Sequence, residues 1–295
     1  MLSDRNRDVF LPGVFDGTFS VPWGAWKTRN VGRDFAPLLA TLRARAYDWA
    51  LIATEELAAY RLAHAARIPH RRGFQNGAEK PVKTLFVRLL CTSTIYRPAS
   101  LREPMHEAHV QYRLAEGLGV APHPPQETAV LRPLLVDDVA RDPGTIAIQV
   151  TDKWQRLGLA PAAIAELAAN LRRGAVVRLL APRADAALAQ AMGDGRDVEI
   201  FDELLPWKRA IASAALLITP DTGAAHIAGM IGTPVVDCFC AKDFMLQTAR
   251  WSPWATPSEL VPLLPYSAGA IAQLLAAVES VRRYSSMPPS RSSSV

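Results

Sequence analysis

Apolar runs long enough for buried strands alternate with segments of helical periodicity along the second half of the chain. Pro, Gly and short polar residues mark the boundaries between these segments. The predicted strands span residues 145–150, 175–180, 198–201, 214–218 and 235–239. The predicted helices span residues 161–172, 184–192, 205–213 and 222–231. Strands separated by helices in this way indicate an open, mainly parallel sheet of Rossmann type.

The first half shows the same alternation but contains fewer strand-like runs. Residues 1–33 have little periodicity and predict a loop with one short strand. Helices are predicted at residues 35–45, 55–66 and 106–118, and strands at residues 48–53, 71–74 and 83–91. These are few strands for a complete sheet, so we expect an incomplete domain here.

The domain division follows from length and from one proline-rich segment. A chain of 295 residues is long for a single hydrophobic core, so two domains are expected. The segment 121–142 contains Pro122, Pro124, Pro125 and Pro133 and predicts an interdomain linker. We therefore predict a truncated Rossmann-like domain at 1–120, a Rossmann-like domain at 143–264, a C-terminal helix at 265–284 and a disordered, low-complexity tail at 285–295.

Composition narrows the function classes only slightly. The chain has 33 Lys and Arg against 28 Asp and Glu, a net charge of +5 that suits an anionic ligand or a membrane surface but also an ordinary solvated face. No basic stripe with interleaved aromatic residues points to a nucleic acid. No run approaches the ~18 apolar residues of a transmembrane segment, and the N-terminus lacks a signal-peptide pattern. The three cysteines show no metal spacing and no disulfide framework, so we predict a cytoplasmic protein without a metal site.

The most informative stretch spans residues 216–237 and has the sequence LLITPDTGAAHIAGMIGTPVVD. Its apolar strand ends at Pro220 and Asp221, and Thr222 and Gly223 open a helix with His226 in its first turn. The unpaired N–H groups and the dipole of a helix N-terminus favour bound anions. We predict that residues 221–226, which we call the anion site, hold the phosphates of a nucleotide.

Simpler interpretations exist for each of these residues. Asp221 and Thr222 are common N-caps, and a lone histidine such as His226 is more often structural than functional. N-capping does not account for a histidine one turn later, which favours the anion site. Two further polar residues, Lys153 and Asp202, also have simple interpretations. By itself, Lys153 is an ordinary solvated lysine and Asp202 is an exposed loop acid.

Several polar residues follow predicted strands of the second half. Ligands bind such sheets at the carboxyl ends of the strands. The candidates at these ends are Thr151, Lys153, Asp202, Asp221, Thr222, Gly223 and His226. Their common position predicts one binding site.

Five segments resemble glycosyltransferase family 9, the lipopolysaccharide heptosyltransferases and their relatives. The pattern Asp-Thr-Gly-x-x-His matches at Asp221–His226 and is followed by Gly-Thr-Pro at residues 232–234. The similarity spans about residues 35–264 in the family's order. Its further segments are 42–50 (LRARAYDWA), 146–154 (IAIQVTDKW), the altered loop 240–243 (CAKD) and the Trp-x-Pro segment 251–253.

The resemblance implies a GT-B-like α/β fold, with two Rossmann-like domains facing across a cleft. It implies an inverting transfer of a sugar, heptose from ADP-heptose, to a lipopolysaccharide-type glycolipid at the cytoplasmic membrane face. The protein would then be cytoplasmic or peripheral at the inner membrane, with no cofactor and no metal. By this resemblance, Thr151, Lys153 and the start of the helix would hold the diphosphate. Asp221 would bind a hydroxyl of the ribose or the sugar, and His226 would contact a phosphate or the sugar. Asp202 would contact the nucleoside.

The general base is unassigned. The family carries its proposed base in a Gly-Asp loop of its first strand–helix unit, and this chain enters the family pattern after those units. Either the start of the chain is placed too late or the domain is truncated or rebuilt. Asp16, Glu55 and Glu56 are possible substitutes. Two alternatives therefore stay open: a catalytically inactive nucleotide-sugar-binding relative, and a nucleotide-sugar epimerase, against which the Asp-Thr-Gly-x-x-His element argues.

Overall fold

The computed structural model describes residues 2–3, 8–28, 30–98, 105–264 and 269–286. Within these residues the chain divides into two compact units. The first unit comprises Met1–Arg7 and Phe15–Pro124, and the second comprises Asp8–Val14 and Pro125–Val295. The tail predicted at 285–295 is wrong for Ser285 and Ser286, which belong to the C-terminal helix. The rest of the tail, from residue 287 onward, lies outside the described residues.

The first unit is built around a parallel sheet. Its strands are β1 (Leu2–Ser3), β2 (Ser20–Val21), β3 (Trp49–Ile52), β4 (His70–Gln75) and β5 (Ser93–Tyr96). Its α-helices are α1 (Val31–Asp34), α2 (Ala36–Arg45), α3 (Leu57–Ala65), α4 (Pro81–Leu90) and α5 (Glu107–Tyr112). Short 3-10 helices cover Trp23–Lys27, Gly77–Glu79 and Arg113–Ala115. The sheet has the order β3-β4-β5, and β1 pairs with β2 separately.

The strand predicted at residues 83–91 is wrong, because this segment forms helix α4. Pro81 occupies the first helical position, where its fixed φ suits the helix and its missing N–H costs no hydrogen bond. Thr84 and Val87, three positions apart, are the buried side chains of the helix. The segment is apolar on more than one face, so its sequence lacks the clear helical period of an ordinary surface helix. Strand β5, which follows it, was not predicted.

The second unit contains a larger parallel sheet. Its strands are β6 (Asp142–Gln149), β7 (Val176–Pro182), β8 (Val198–Phe201), β9 (Ala214–Pro220), β10 (Val235–Cys240) and β11 (Ser258–Leu263). Its α-helices are α6 (Thr128–Leu131), α7 (Lys153–Arg156), α8 (Pro161–Leu171), α9 (Ala186–Met192), α10 (Leu204–Ser213), α11 (Gly223–Ile231), α12 (Phe244–Trp251) and α13 (Ala270–Ser286). Short 3-10 helices cover Arg132–Leu134, Arg183–Asp185 and Ala241–Asp243.

Helices cover both faces of this sheet, whose strand order is β11-β10-β9-β6-β7-β8. Side chains alternate between the faces, so Ile146 and Ile148 of β6 pack with α8 and α13, whereas Ala147 packs with α10 and α11. In the described residues the sheet has one strand more than the sequence predicts. The additional strand, β11, contains Pro262 and lies at the sheet edge, where a missing N–H is tolerated. The predicted α/β fold class with parallel sheets is confirmed.

Much of the segment predicted as a linker, residues 121–142, is folded into the second unit. Helix α6 and the following 3-10 turn lie in this segment, and the side chain of Arg132 donates to the Ile231 carbonyl at 3.1 Å and the Val139 carbonyl at 2.7 Å. The division between the units falls between Pro124 and Pro125. None of the helices in the described residues has the length and apolar character needed to cross a bilayer.

Candidate functional site

The turn between β9 and α11 is a capped helix N-terminus. Thr222 has extended backbone angles, φ −145° and ψ 177°, and its hydroxyl oxygen accepts a hydrogen bond from the Ala224 N–H at 3.3 Å. The hydroxyl groups of Thr219 and Thr222 are 3.1 Å apart. The helix ends at Gly232, whose φ of +84° is the left-handed conformation that glycine adopts readily. Thr222 therefore does cap the helix, and a cap does not prevent an anion from binding at the remaining N–H groups.

Gly223 leaves open space at the first turn of α11. A Cβ atom placed on Gly223 would meet no heavy atom within 4 Å, and the residue is exposed. By contrast, a Cβ atom on Gly229 would lie 2.6 Å from the backbone N and O of Trp254. Gly229 is thus required by packing within the chain, whereas the space beside Gly223 allows a ligand to approach the helix backbone.

Lys153 and Asp221 form an ion pair beside this helix terminus. Lys153 follows β6 and Asp221 follows β9, and these strands are neighbours in the sheet. The Lys153 Nζ lies 2.9 Å from the Asp221 Oδ2 and also donates to the Asp221 backbone carbonyl. The two side chains are 31% and 22% exposed, so the pair is partly shielded from water yet accessible. Thr151 lies in the same turn, where its hydroxyl oxygen accepts from the Lys153 N–H at 3.4 Å.

Asp237 is a buried acid close to this pair that sequence reasoning missed. It is opposite Thr219 in the β9–β10 register, and its side chain is fully buried. Neither carboxylate oxygen has a hydrogen-bond partner among the described residues. Burial raises the pKa of Asp237 well above its usual value. The charge of Asp221 adds to this effect, and the charge of Lys153 opposes it. The available signal in the sequence was a single acid inside the apolar run VVDCFC.

His226 lies one turn along α11 and faces α12. Its ring centroid is 5.9 Å from that of Trp251, with the rings tilted by 56°. The next residues, Pro253 and Trp254, pack against Gly229 of the same helix. Helix α11 therefore places the Asp-Thr-Gly-x-x-His and Trp-x-Pro segments side by side.

Asp202 occupies a different part of the same sheet edge. It follows β8, and its carboxylate pairs with Arg183, with 2.9 Å between the Arg183 Nε and the Asp202 Oδ1. This hydrogen bond lowers the pKa of Asp202 below its usual value. Strand β8 is three positions from β9 in the sheet order, roughly 14 Å at the usual strand spacing. The structure brings Thr151, Lys153, Asp221, Thr222 and Gly223 together, and it places Asp202 apart from them with Arg183, which was not predicted.

The acids considered as a general base differ sharply in their surroundings. Partial burial would by itself raise the pKa of Glu55, but hydrogen bonds and charges from Lys80 and Lys83 bring it down to about 2. The Arg97 Nη1 also lies 3.2 Å from the Glu55 Oε1.

Glu56 is exposed. It lines a cavity of about 830 Å³ in the first unit, together with Trp26, Tyr47, Trp49 and neighbouring residues. Asp16 is exposed beside this cavity's Gly17.

In the part of the chain that the structure describes, no group of three or more His, Cys, Asp and Glu side chains is arranged to hold a metal ion. The positive charge at the anion site comes from Lys153 and the N-terminus of α11.

The solved structures that have the same fold include glycosyltransferases. The glycosyl transferase family 9 protein from Veillonella parvula DSM 2008 superposes with a TM-score of 0.65 at 15% identity, covering 87% of this chain and 80% of that one. E. coli ADP-heptose lps heptosyltransferase II gives a TM-score of 0.64 at 16% identity, with 91% and 84% covered. E. coli heptosyltransferase WaaC with ADP gives 0.60 at 17% identity, with 88% and 83% covered. These likenesses confirm the GT-B-like fold class predicted from the sequence. No known family profile and no curated protein sequence matches the chain.

Proposed function

We propose that this chain is a glycosyltransferase that takes its sugar from a nucleoside diphosphate donor bound at the anion site. The observation that carries the proposal is the Lys153–Asp221 pair beside the open N-terminus of α11. A diphosphate needs positive charge and N–H donors at fixed positions, and this corner offers both. The donor is ADP-heptose, as the resemblance of the sequence implies and as the names of two solved structures with this fold suggest.

Lys153 and the start of α11 stabilise the leaving diphosphate. As negative charge develops on the departing oxygen, Lys153 turns from Asp221 toward the phosphate, and the N–H groups of the first turn of α11 donate to it. Asp221 is then available to accept a hydrogen bond from a hydroxyl of the ribose or the sugar. His226 is one turn further on and contacts a phosphate or the sugar. Asp202, paired with Arg183, would contact the nucleoside. The charge on the phosphates is met without a metal or another cofactor.

The transfer itself is a single displacement. The acceptor hydroxyl oxygen forms a bond to the anomeric carbon, the bond to the diphosphate oxygen breaks with its electron pair, and a base takes the hydroxyl proton. One displacement inverts the configuration. The acceptor is a lipopolysaccharide-type glycolipid at the cytoplasmic membrane face, which makes the protein cytoplasmic or peripheral at the inner membrane.

Titration calorimetry with ADP, UDP and GDP tests the donor site. We expect ADP to bind best, and Lys153→Ala to weaken it at least tenfold, about 1.4 kcal/mol. Arg156→Ala is the matched control, because this cation on the same short helix pairs with Asp152 in solvent and should change affinity less than twofold. A folded protein that binds none of the diphosphates would overturn the proposal.

A catalytically inactive nucleotide-sugar-binding relative is the second candidate, favoured by the ion pairs that occupy Glu55. The two candidates differ in ADP release from ADP-heptose in the presence of a glycolipid acceptor. The first predicts that ADP is released when the acceptor is present. The second predicts ADP binding without any release.

A further inference from the structure

Helix α4 of the first unit presents apolar side chains to solvent. Val82, Leu85, Phe86 and Leu89 are 68%, 59%, 41% and 66% exposed. They are spaced i, i+3, i+4 and i+7, the pattern that places side chains on one face of a helix. We call this set the α4 apolar face. Surface helices normally carry polar residues at such positions, so this face requires a separate explanation.

The α4 apolar face lies opposite the side of the helix that belongs to the core. At about 100° per residue the four side chains fall within an arc of roughly 100°, and Thr84 and Val87, the buried residues, lie on the far side. The buried side of the helix therefore already packs against the core, where the helix contacts β4 and α3. The second apolar face is additional to what the fold of the first unit uses.

The charges on α4 are all positive. Lys83 and Arg88 are its charged residues, and they lie on either side of the apolar face. Lys83 is turned toward Glu55, with 3.2 Å between the Lys83 Nζ and the Glu55 Oε2, whereas Arg88 is exposed. Lys80, also paired with Glu55, precedes the helix, and Glu79 lies outside it in the preceding turn. An apolar strip with the exposed Arg88 beside it and without acids on the same helix complements an anionic lipid surface.

We infer that the α4 apolar face docks the protein on an anionic lipid bilayer, with Val82, Leu85, Phe86 and Leu89 entering the boundary between headgroups and acyl chains and Arg88 contacting lipid phosphates. The helix has 10 residues, about 15 Å, which is long enough to lie along the surface and too short to cross it. Under the proposed function, this contact brings the first unit to the surface that holds a glycolipid acceptor. The inference does not use the nucleotide site, so the two can fail separately.

Co-sedimentation of the full chain with vesicles tests this inference without any nucleotide. Vesicles of phosphatidylglycerol and phosphatidylethanolamine provide the anionic surface, and vesicles of phosphatidylcholine the neutral one. We expect binding to the anionic vesicles that falls at least tenfold in Leu89→Asp. Val130→Asp is the matched control, because it places the same charge at an exposed apolar position of α6 in the second unit, and it should change binding less than twofold. Leu85→Gln/Leu89→Gln removes the apolar contact without adding charge and should show the same loss if Leu89→Asp does not fold.

Three results would overturn the inference. The first is wild-type protein that stays in the supernatant with anionic vesicles. The second is Leu89→Asp and the double glutamine variant binding as tightly as wild type. The third is wild-type protein that binds phosphatidylcholine vesicles as tightly as anionic vesicles, together with an Arg88→Gln variant that binds anionic vesicles as tightly as wild type. If sedimentation equilibrium instead shows a dimer that Leu89→Asp dissociates, and vesicles do not bind, the face is a contact between copies of this chain.

Discussion

The Lys153 Nζ lies 2.9 Å from the Asp221 Oδ2, although 68 positions separate the two residues in the chain. Strands β6 and β9 are neighbours in the sheet, so the turns that follow them meet at the same edge. The pair neutralises two charges next to the N-terminus of α11. A phosphate that binds here would have to compete with Asp221 for Lys153, so its affinity would depend on the carboxylate of Asp221.

This competition predicts the effect of Asp221→Asn. Removing the carboxylate frees Lys153 and removes a like charge, so inorganic pyrophosphate should bind about fivefold more tightly, near 1 kcal/mol. Pyrophosphate is the appropriate probe because it has no hydroxyl that Asp221 could hold. Calorimetry at low and high salt measures the change, which should shrink as salt rises. Unchanged or weaker binding in the variant would show that Asp221 does not compete with the anion.

Gly223 and Gly229 should respond in opposite ways to alanine. Gly223→Ala places a Cβ atom where the chain has no neighbour within 4 Å, so we expect its free energy of unfolding to change by less than about 0.5 kcal/mol. Its ADP affinity should fall at least tenfold, because the methyl group occupies the approach to the helix backbone. Gly229→Ala should destabilise the fold by about 1–3 kcal/mol, because its Cβ atom meets Trp254 at 2.6 Å. Urea unfolding and calorimetry on both variants measure the two effects, and an unimpaired ADP affinity in Gly223→Ala would argue against a ligand at this position.

Asp237 should make stability depend on pH. Burial raises its folded-state pKa above the unfolded value of 3.8, so the folded chain keeps a proton that the unfolded chain has lost. This group therefore lowers the free energy of unfolding progressively as pH rises above about 4. We expect Asp237→Asn to be more stable than wild type by at least about 1 kcal/mol at pH 7 and equal to it near pH 3.

Urea unfolding at several pH values measures that difference. Asp16→Asn, an exposed acid of the first unit, serves as the control and should leave the profile unchanged. A constant difference between Asp237→Asn and wild type from pH 3 to pH 7 would contradict the assignment.

Glu55 should act in the opposite direction. Its folded-state pKa of about 2 lies below the unfolded value of 4.5, so its stabilising effect is present above pH 4.5 and is lost as pH falls toward 2. The side chain is 38% exposed, so solvent screening reduces the expected contribution to about 1 kcal/mol. Glu55→Gln should be destabilised by that amount at pH 7 and should match wild type near pH 2, whereas Glu56→Gln should unfold like wild type at both. Thermal unfolding at the two pH values measures this difference in stability. Equal stability of Glu55→Gln and wild type at pH 7 would show that Glu55 does not stabilise the fold.

The repeating pattern of the second unit was predictable because it is local. Helix α11 begins one residue after the predicted start, and β8 and the helix before β9 lie within one residue of their predicted bounds. The anion-site residues stand next to one another in the chain, so their strand–turn–helix setting could also be recognised from the sequence. Helix α4 was predicted as a strand because its two apolar faces obscure the period by which a surface helix is normally recognised.

What the sequence alone determined about this protein is the order of strands β6 to β10 with the longer helices between them, and the local setting of the anion site. Tertiary structure decided which strands are neighbours. It therefore decided that Lys153 meets Asp221, whereas Asp202 follows the edge strand β8 and pairs with Arg183. It also decided that Asp237 is buried, that Glu55 is enclosed by cations and that the α4 apolar face is left in solvent. The physical reason is that backbone preference and periodicity act within a few residues, whereas burial, ion pairing and pKa depend on groups that only the sheet order and helix packing bring together.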